Sequence, residues 1–434
     1  MNLLVTNTRN AQAYAIIRAL RPFAKKIVAT MEGDSRVAAR LSHAANSRLV
    51  DKRYYTPSPV KEWRAGRVQN ENTASEEAYI KAVMRICEDE KIDTIFPSFD
   101  PHVYVFSKNK VRFERMGVLI PVPDYETVIT PLDKYRTIQA AQEVGFPCPK
   151  TYLPDGEDDL KEIAEELDFP LVIKPRFTAG GRGTVAVRDF AELIEAMKVA
   201  KNDRMHMIQE YIPGRRQQHF NLMLGKDGVL KIAVSREIHR FFLPTIIQNA
   251  PTASESIDSN DYSVHAGRLA QILGWWGGIT VQTKVDDRDG VPKLMEINPR
   301  LGFTLWNRTE VGINEPLLCL KLARGENVEG IGHYPSGTIF ISPLEDAQAL
   351  IFKLLDLFAY KCRVHIGCRA AINPDAHPAS VTELVRSYRN SYFNRKAKVF
   401  SPYFKYWFQD PLACFLWWCQ VCLLMLRATK QLGR

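Results

Sequence analysis

A turn-forming segment at residues 286–290, which reads Asp-Asp-Arg-Asp-Gly, separates two strand-like runs. This composition is typical of a tight connection between antiparallel strands. A turn centred near Asp289 pairs Gln282 with Glu296 and Val281 with Ile297. Because side chains alternate between the faces of a strand, polar and apolar residues separate. One face carries Thr280, Gln282, Glu296 and Asn298, and the other carries Val281, Val285, Met295 and Ile297.

The oxygen atoms of the polar face suit a magnesium ion. Mg²⁺ prefers hard oxygen ligands, and in proteins it often combines one or two carboxylates with substrate phosphates. We therefore predict Gln282, Glu296 and Asn298 as metal ligands. Arg300 follows with a fixed positive charge that suits a phosphate. The geometry alone is equally consistent with an ordinary hairpin that has one solvated face.

A lysine ends an apolar run at residues 169–175, which reads Phe-Pro-Leu-Val-Ile-Lys-Pro. Burying a charge at the end of such a run is costly, so we expect Lys174 to meet an anionic partner. Residues 178–184 follow and are rich in glycine, which lets backbone N–H groups approach phosphate oxygens closely. Taken alone, this segment is equally consistent with a plain flexible hairpin.

Residues 295–300, which read Met-Glu-Ile-Asn-Pro-Arg, resemble the E-x-N-x-R metal-binding signature of ATP-grasp enzymes. In that superfamily the segment holds one or two Mg²⁺ ions against the phosphates of ATP. The resemblance therefore implies ATP and Mg²⁺ as cofactors, with Mn²⁺ as an alternative metal. Most members have an acid where Gln282 stands, whereas carbamoyl phosphate synthetases use glutamine there. Gln282 is accordingly the least secure of the three ligands.

The resemblance extends over about residues 1–330 and implies further nucleotide contacts. Residues 133–149 resemble the D-K-x(n)-G-x-P-x-P entry of the superfamily, in which the lysine contacts a phosphate. Residues 209–214 resemble the segment that holds adenine, although the ribose-binding acid expected shortly afterwards is replaced by glutamine. The implied nucleotide-binding residues are Lys134, Lys174, Gly180, Gly181, Gly183, Glu210, Tyr211, Ile212 and Gln217.

Three basic residues are expected to act on the reacting groups. The resemblance assigns Lys174 and Arg300 to the transferred phosphoryl group. It also suggests that Arg236 steadies the phosphoryl group or an acyl phosphate, because related enzymes carry an arginine in this part of the chain. Asp100, which follows a strand-like segment, either binds a substrate amine or hydroxyl or caps the next helix.

The resemblance implies an ATP-dependent carboxylate-amine ligase. Such an enzyme forms an acyl phosphate that an amine or similar nucleophile attacks, giving an amide-type bond with release of ADP and phosphate. The sequence shows no Ser-His-Asp or Cys-His arrangement that would require a protein nucleophile. The style of the metal segment is most similar to predicted carboligases related to D-aspartate ligases. A non-catalytic ATP-binding protein and a carbamoyl-phosphate-like phosphoryl transfer are the alternatives.

The expected fold is α/β. Strands alternate with helices up to about residue 120, which predicts a doubly wound parallel sheet in residues 1–120. The pattern then changes to antiparallel hairpins, which predicts an α+β domain in residues 121–330, and the resemblance implies that this is the two-lobed ATP-grasp domain. Residues 331–434 are expected to form a helical or mixed C-terminal extension. Small-molecule carboxylate and amine substrates are expected to bind between the first two domains.

The positive charge is concentrated at the C-terminus. Residues 380–434 contain nine basic and two acidic residues, which account for seven of the nine net positive charges. The rest of the chain is nearly neutral, so nucleic-acid binding is not expected. Eight cysteines without metal-like spacing, and no secretory signal at the N-terminus, indicate reduced thiols in a cytoplasmic protein.

Residues 411–426 are apolar except for Gln420 and include two tryptophans. A helix of this length spans about 24 Å, which is short of the roughly 30 Å hydrocarbon core of a membrane. Together with the nearby basic residues, it suits a helix on the inner face of an anionic membrane. The alternative is a helix docked on the body of the protein or on a second copy in a homodimer.

Overall fold

The structure is a computed structural model that describes residues 1–33, 39–59, 71–178, 181–200, 204–241, 251–331, 334–361 and 381–432. Its strands form three sheets, two of four strands and one of seven. The predicted α/β fold class, with a parallel N-terminal sheet followed by antiparallel sheets, is confirmed.

The first sheet is parallel and has the strand order β3-β2-β1-β4. Alternate residues of its strands enter two different cores. Leu4 and Val28 pack with one core, whereas Leu3 and Ile27 pack with the other, so the sheet is covered on both faces as predicted. The strands are β1 (Asn2–Val5), β2 (Lys26–Glu32), β3 (Lys52–Thr56) and β4 (Thr94–Phe96).

Helices cover this sheet and connect its strands. A capping box between Thr73 and Glu76 fixes the start of the longest of them. Beyond β4, Leu119 joins the sheet through an isolated parallel bridge to Thr94. The helices are α1 (Ala11–Leu20), α2 (Ala74–Glu90), α3 (Asp100–Lys108) and α4 (Lys110–Glu114), with 3-10 turns at Arg21–Phe23 and Ala44–Asn46.

Two helices lead from the first sheet to the second. They are α5 (Tyr125–Leu132) and α6 (Lys134–Glu143). The chain breaks at Asp133, whose carboxylate accepts hydrogen bonds from the backbone N–H groups of Tyr135 and Arg136. This N-cap satisfies N–H groups that a continuous helix would have paired internally, and it sets Lys134 at the first position of α6.

The second sheet is antiparallel and has the order β5-β8-β6-β7. Two helices bury their apolar faces on it and form a small separate core that includes Leu160, Leu171 and Leu193. Its elements are β5 (Thr151–Tyr152), α7 (Glu157–Glu166), β6 (Leu171–Pro175), β7 (Val185–Val187), α8 (Phe190–Val199) and β8 (His206–Glu210).

The third sheet has the order β13-β12-β9-β10-β11-β14-β15, with a parallel pair only between β14 and β15. The C-terminal strand β15 thus extends the sheet that contains the predicted metal hairpin. The strands are β9 (Gln217–Leu224), β10 (Leu230–Phe241), β11 (Pro251–Ile257), β12 (Gly277–Val285), β13 (Pro292–Asn298), β14 (Ile339–Ile341) and β15 (Lys398–Phe400).

The remaining helices surround this sheet and include the C-terminal segment. Within the described residues, no helix is both long and apolar enough to cross a membrane. These helices are α9 (Asp261–Ile272), α10 (Leu305–Thr309), α11 (Glu315–Ala323), α12 (Pro343–Lys361), α13 (Val381–Tyr392), α14 (Pro402–Lys405) and α15 (Pro411–Leu432).

The first turns of α15 dock on the body of the protein. Asp410, just before the helix, accepts hydrogen bonds from the hydroxyls of Tyr14 and Ser47. The indole N–H of Trp417 donates to Glu345 at 2.5 Å, and the ring stacks on Tyr403 with centroids 4.7 Å apart. Of the two arrangements expected for this segment, the docked helix is the one found for these residues.

Two adjacent tryptophans provide a matched test of this docking. Trp417 is 4% exposed and Trp418 is 39% exposed. We expect Trp417→Ala to destabilise the protein by about 3 kcal/mol, because it leaves a cavity and an unpaired buried Glu345. Trp418→Ala is expected to cost less than about 1 kcal/mol. Urea unfolding of both variants measures the difference, and equal losses would contradict the docking.

Candidate functional site

The hairpin of β12 and β13 has the predicted register. Gln282 lies opposite Glu296, and Val281 lies opposite Ile297. A register shift follows Gln282, so that Thr283 pairs with Leu294. Met295 therefore falls outside the ladder and is only partly buried, whereas we had expected it on the apolar face. The bulge turns the carbonyl of Met295 toward a lysine.

A row of polar side chains crosses four strands on one face of the third sheet. His219 of β9 pairs with Gln282 on one side and with Arg236 of β10 on the other, and Gln282 pairs with Glu296. Residues that pair across strands point to the same face, so His219 joins the predicted residues there. The sequence analysis missed His219, although the alternation of polar residues at 217, 219 and 221 is its signal.

Two lysines from different elements meet the metal hairpin in one cleft. The ammonium nitrogen of Lys134, on α6, lies 3.8 Å from a carboxylate oxygen of Glu296 and donates to the carbonyl of Thr178 at 2.6 Å. The ammonium of Lys174, on β6, donates to the carbonyl of Met295 at 3.3 Å. Lys134, Lys174 and Glu296 therefore converge as the sequence predicted.

The electrostatics of Lys174 favour an anionic ligand. The pKa of Lys174 is lowered to about 7, chiefly by burial and then by the nearby charge of Lys134, while Glu296 opposes both effects. Two ammonium groups with one carboxylate leave this cleft short of negative charge. A phosphate group would offset both the desolvation of Lys174 and its repulsion by Lys134.

Arg300 connects the metal hairpin to the first sheet. Its Nε atom lies 2.6 Å from a carboxylate oxygen of Asp100, and it donates to the amide oxygen of Asn298 at 2.8 Å. Asp100 is the first residue of α3 and makes no side-chain cap there. The capping alternative for Asp100 was therefore wrong, and its carboxylate instead holds Arg300 beside Asn298.

The predicted adenine segment lies where β8 leaves the second sheet. The carboxylate of Glu210 pairs with Arg288 of the hairpin turn at 2.5 Å and accepts from the backbone N–H of Lys150 at 3.1 Å. Ile212 is buried. The Tyr211 ring lies 4.8 Å from the ammonium of Lys284, a residue on β12 that the sequence analysis did not single out.

The glycine-rich segment joins β6 to β7. Gly181 and Gly183 have φ angles of 66° and 74°, which belong to the left-handed region that favours glycine. A Cβ atom at Gly183 would also lie 2.8 Å from the Pro175 ring. Gly180 lies outside the described residues. The backbone conformation of the described glycines thus requires the residue type that was expected for a phosphate-covering loop.

Arg236 lies on the same face but apart from the lysine cleft. It is fully buried, and its guanidinium donates to the hydroxyls of Ser254 at 3.2 Å and Thr304 at 2.5 Å. Burial lowers the pKa of Arg236 to about 9, and the charge of Arg308 is the next cause. The buried guanidinium of Arg236 thus contacts neutral hydroxyl groups. Its strand lies three strands away from the strand of Glu296.

The ligand set suits a metal that also binds substrate oxygens. Among the residues that the structure describes, no group of three or more His, Cys, Asp or Glu side chains is placed to hold a metal ion. Glu296 supplies one carboxylate, and Gln282 and Asn298 supply amide oxygens. Such a set is weak by itself but fits Mg²⁺, which commonly completes its coordination with phosphates and water.

Comparisons with known proteins agree with this geometry. Residues 133–327 match the family model described as the carbamoyl-phosphate synthase L chain ATP-binding domain, and residues 67–121 match the PylC-like N-terminal domain. The fold and the arrangement of the site are similar to those of ATP-grasp proteins, and the similarity in sequence is to the ATP-binding domain over residues 133–327.

Curated relatives share part of their length with this chain. A carbamoyl phosphate synthase large chain of Thermoanaerobacter sp. is 26% identical over 55% of this chain and 22% of its own length. D-alanine–D-alanine ligase B of Pseudomonas putida is 26% identical over 40% of this chain and 56% of its own length. The chain therefore covers only about a fifth to somewhat over half of these relatives.

Solved structures show the same fold at low identity. Biotin carboxylase from Campylobacter jejuni, solved as a β-γ-ATP complex, has a TM-score of 0.60 and 19% identity over 78% of this chain and 74% of its own. The biotin carboxylase domain of 2-oxoglutarate carboxylase from Hydrogenobacter thermophilus has a TM-score of 0.59 and 16% identity over 75% and 70%.

The lowered pKa of Lys174 predicts a pH-dependent gain in stability for Lys174→Met. The unfolded chain holds this proton up to about pH 10.5, whereas the nucleotide-free folded protein loses it near pH 7. The charged lysine therefore destabilises the fold fully below pH 7 and progressively less above it. We expect the variant to be more stable than wild type at pH 6, and the gain to shrink by about 2 kcal/mol at pH 9.

Urea unfolding without nucleotide at both pH values measures this gain. The free energy of unfolding of the variant is compared with that of wild type at each pH, so the contributions of the other titrating groups cancel. A gain that is the same at pH 6 and pH 9, or a loss of stability at pH 6, would contradict the effect of burial on Lys174.

Proposed function

We propose that this chain is an ATP-dependent ligase that activates a carboxylate as an acyl phosphate for attack by an amine or similar nucleophile. The reaction forms an amide-type bond and releases ADP and phosphate. The observation that carries the proposal is the convergence of Lys134, Lys174 and Glu296, which come from three separate elements, in one cleft. The ligase names of the curated relatives support it.

The nucleotide is ATP with Mg²⁺. Lys134 and Lys174 hold its phosphates, while Glu296, Asn298 and Gln282 provide the oxygen ligands for the metal. Bound Mg²⁺ supplies positive charge to the phosphate oxygens during transfer. Mn²⁺ substitutes because it accepts the same carboxylate and carbonyl ligands. The base lies at Tyr211 and Ile212, with Glu210 holding the hairpin turn beside it and Gln217 near the sugar. Gly180, Gly181 and Gly183 cover the phosphates.

The lysines and Arg300 stabilise the negative charge that develops as the γ-phosphoryl group moves to the carboxylate. Preorganised cations act strongly here because they require no reorganisation in a dry cleft. Asp100 and Asn298 fix the guanidinium of Arg300, which places its positive charge beside the metal ligands. Excluding water protects the acyl phosphate until the amine displaces phosphate.

Arg236 holds the anionic end of a substrate or the acyl phosphate. Among the residues that the structure describes, its hydrogen-bond partners are two neutral hydroxyls, and Glu315 pairs instead with the neighbouring Arg308, at 2.6 Å. A buried guanidinium without a carboxylate partner is costly. A substrate carboxylate or acyl phosphate offsets that cost, which makes Arg236 a recognition group on the face that carries the metal ligands.

The substrates are small molecules that enter between the first sheet and the ATP-binding part. The Asp100–Arg300 pair spans this junction, and parallel sheets bind ligands beyond the carboxyl ends of their strands. We keep the division into residues 1–120, 121–330 and 331–434 as the working description of the domains. Nucleic acid is not among the expected partners, because the chain outside its C-terminal region is nearly neutral.

A carbamoyl-phosphate-like phosphoryl transfer is the second candidate. Gln282 favours it, because glutamine replaces an acid at this ligand position, as in the carbamoyl phosphate synthetases that the sequence resembles. The first curated relative is also a carbamoyl phosphate synthase. ATP-dependent phosphate release without an added amine would favour this second reaction over the ligase.

The start of the C-terminal helix and the turn before it expose apolar side chains to a partner. Phe408, in the turn, is 94% exposed, and Leu412 and Phe415 on the helix are 51% and 48% exposed, whereas Ala413 and Cys414 are buried. We propose this exposed face as the contact for the two partners expected of the tail, an anionic membrane surface at the cytoplasmic side or a second copy of the chain. Deletion from residue 400 is a poor test, because it would uncover the core that α15 covers.

Loss of either charge at the cleft should abolish catalysis. We expect Lys174→Ala and Glu296→Ala to lower ADP production at least about 100-fold with a competent substrate pair, because each removes transition-state stabilisation. Arg236→Met should lower carboxylate-dependent ADP production similarly but leave MgADP binding within about twofold of wild type. A coupled ADP assay over a panel of amino acids, with products identified by mass spectrometry, and calorimetry with MgADP measure both effects.

Lys231→Ala is the matched control. Lys231 lies on the opposite face of β10 and pairs with Asp227 at 3.2 Å, so it should keep full activity. Normal turnover in both Lys174→Ala and Glu296→Ala would refute the proposed function. Weaker MgADP binding by Arg236→Met would show that Arg236 contacts the nucleotide rather than the substrate.

Exchange of Phe408 for serine tests the exposed face. This side chain contributes little to the fold, so the variant should unfold at the same urea concentration as wild type. We expect wild type to sediment with vesicles that contain phosphatidylserine and Phe408→Ser to sediment several-fold less. Sedimentation velocity without lipid detects a dimer instead. Identical behaviour of the two proteins in both experiments would exclude this face as a contact.

A further inference from the structure

Lys284 lies on the face of β12 that also carries the proposed metal ligand Gln282, which is called the ligand face below. Neither the metal site nor the base contacts give Lys284 a role. It lies two residues beyond Gln282 along the strand, which is about 7 Å and restores the same side of the sheet. Its cross-strand neighbours are Gln217 on β9 and Lys293 on β13. The side chain is 93% buried, since Lys284 is 7% exposed, and its ammonium lies 4.8 Å from the centre of the Tyr211 ring.

The end of β12 that carries Lys284 is fixed against the adenine segment. The backbone N–H of Val285 donates to Arg216 at 2.9 Å, and that of Asp287 donates to Pro213 at 3.1 Å. A nucleotide that reaches from Tyr211 to Glu296 must therefore pass Lys284. The part of the nucleotide between base and metal-bound phosphates is the sugar with its α-phosphate.

The acids near this end of the hairpin are held by other cations. Asp286 accepts from Arg288 at 2.8 Å and pairs with Lys293 at 2.6 Å, and Glu210 pairs with Arg288. Asp286 lies two residues beyond Lys284, and Lys293 is opposite Lys284 on β13, so these groups share the face of the hairpin that carries Lys284. An ammonium group donates hydrogen bonds to oxygen acceptors such as hydroxyl and phosphate groups.

We propose that Lys284 is a third nucleotide-binding lysine, whose ammonium donates hydrogen bonds to oxygen atoms of the sugar–α-phosphate segment. This inference rests on the proposed ATP site and assigns a contact that neither the metal signature nor the phosphate lysines include. Lys134 and Lys174 hold the phosphate end, and Lys284 holds the nucleotide midway between that end and Tyr211.

Calorimetric titration with MgADP tests the contact without knowledge of the other substrates. Lys284→Met keeps an apolar stem against Tyr211 but removes the ammonium, so we expect MgADP affinity to fall at least about tenfold. Lys284→Arg keeps a cationic donor and should stay within about threefold of wild type. Lys231→Met, on the opposite face of the same sheet, should bind MgADP like wild type.

The result separates this inference from the proposed function. If wild type does not bind MgADP, the ATP site itself fails. If wild type binds and Lys284→Met binds within about twofold, or Lys284→Arg is as weak as Lys284→Met, the contact of Lys284 is refuted while the ATP site stands. Urea unfolding of each variant shows that a loss of affinity does not come from a loss of fold.

A second ligand locates the contact along the nucleotide. Adenosine lacks every phosphate but keeps the base and sugar. If Lys284→Met loses more affinity for MgADP than for adenosine, the ammonium contacts the α-phosphate. If the variant loses affinity for both ligands equally, the ammonium contacts the sugar.

Discussion

The attraction between two buried lysines and Glu296 is the interaction on which the rest of the site depends. Lys134 and Lys174 repel each other, and burial removes the water that would solvate them. One carboxylate, 3.8 Å from Lys134, compensates them incompletely. The cleft therefore holds a preformed excess of positive charge, and the protein tolerates its cost because the ligand that it is built for carries several negative charges.

The fold supplies this arrangement by bringing three elements together. Asp133 ends one helix and starts the next, so that Lys134 stands at the first position of α6. Lys174 lies near the C-terminal end of β6, an inner strand of the second sheet. The bulge in β13 turns the Met295 carbonyl toward Lys174 and keeps Glu296 on the polar face. Each local feature has its own cause, and only their combination forms the cleft.

Contacts between distant parts of the chain also position the two ends of the metal hairpin. Arg300 is held by Asp100, two hundred residues away, and so connects the carboxyl edge of the first sheet to the metal ligands. At the other end of the hairpin, Arg288 holds Glu210, and the turn packs against the segment expected to bind the base. Both ends of one hairpin thus anchor regions where ligands are proposed to bind.

The sequence by itself determined the polar and apolar faces of the metal hairpin and its register. Side-chain alternation has a period of two and the turn composition is strong, so Gln282 had to face Glu296. It also indicated the resemblance to ATP-grasp enzymes, because the metal signature and the lysine-bearing segments occur in a fixed order. It did not reveal the bulge at Met295 or the helix break at Asp133, since both depend on hydrogen bonds that composition does not encode.

Only the tertiary structure decided which residues meet. His219 and Lys284 join the ligand face because strand pairing aligns them with Gln282 and Gln217, and no local pattern reports pairing between strands distant in sequence. Asp100 pairs with Arg300 rather than capping a helix, and the start of α15 docks on the body although its apolar composition also suits a lipid surface. Contacts of this kind depend on long-range packing, which local propensity and spacing do not contain.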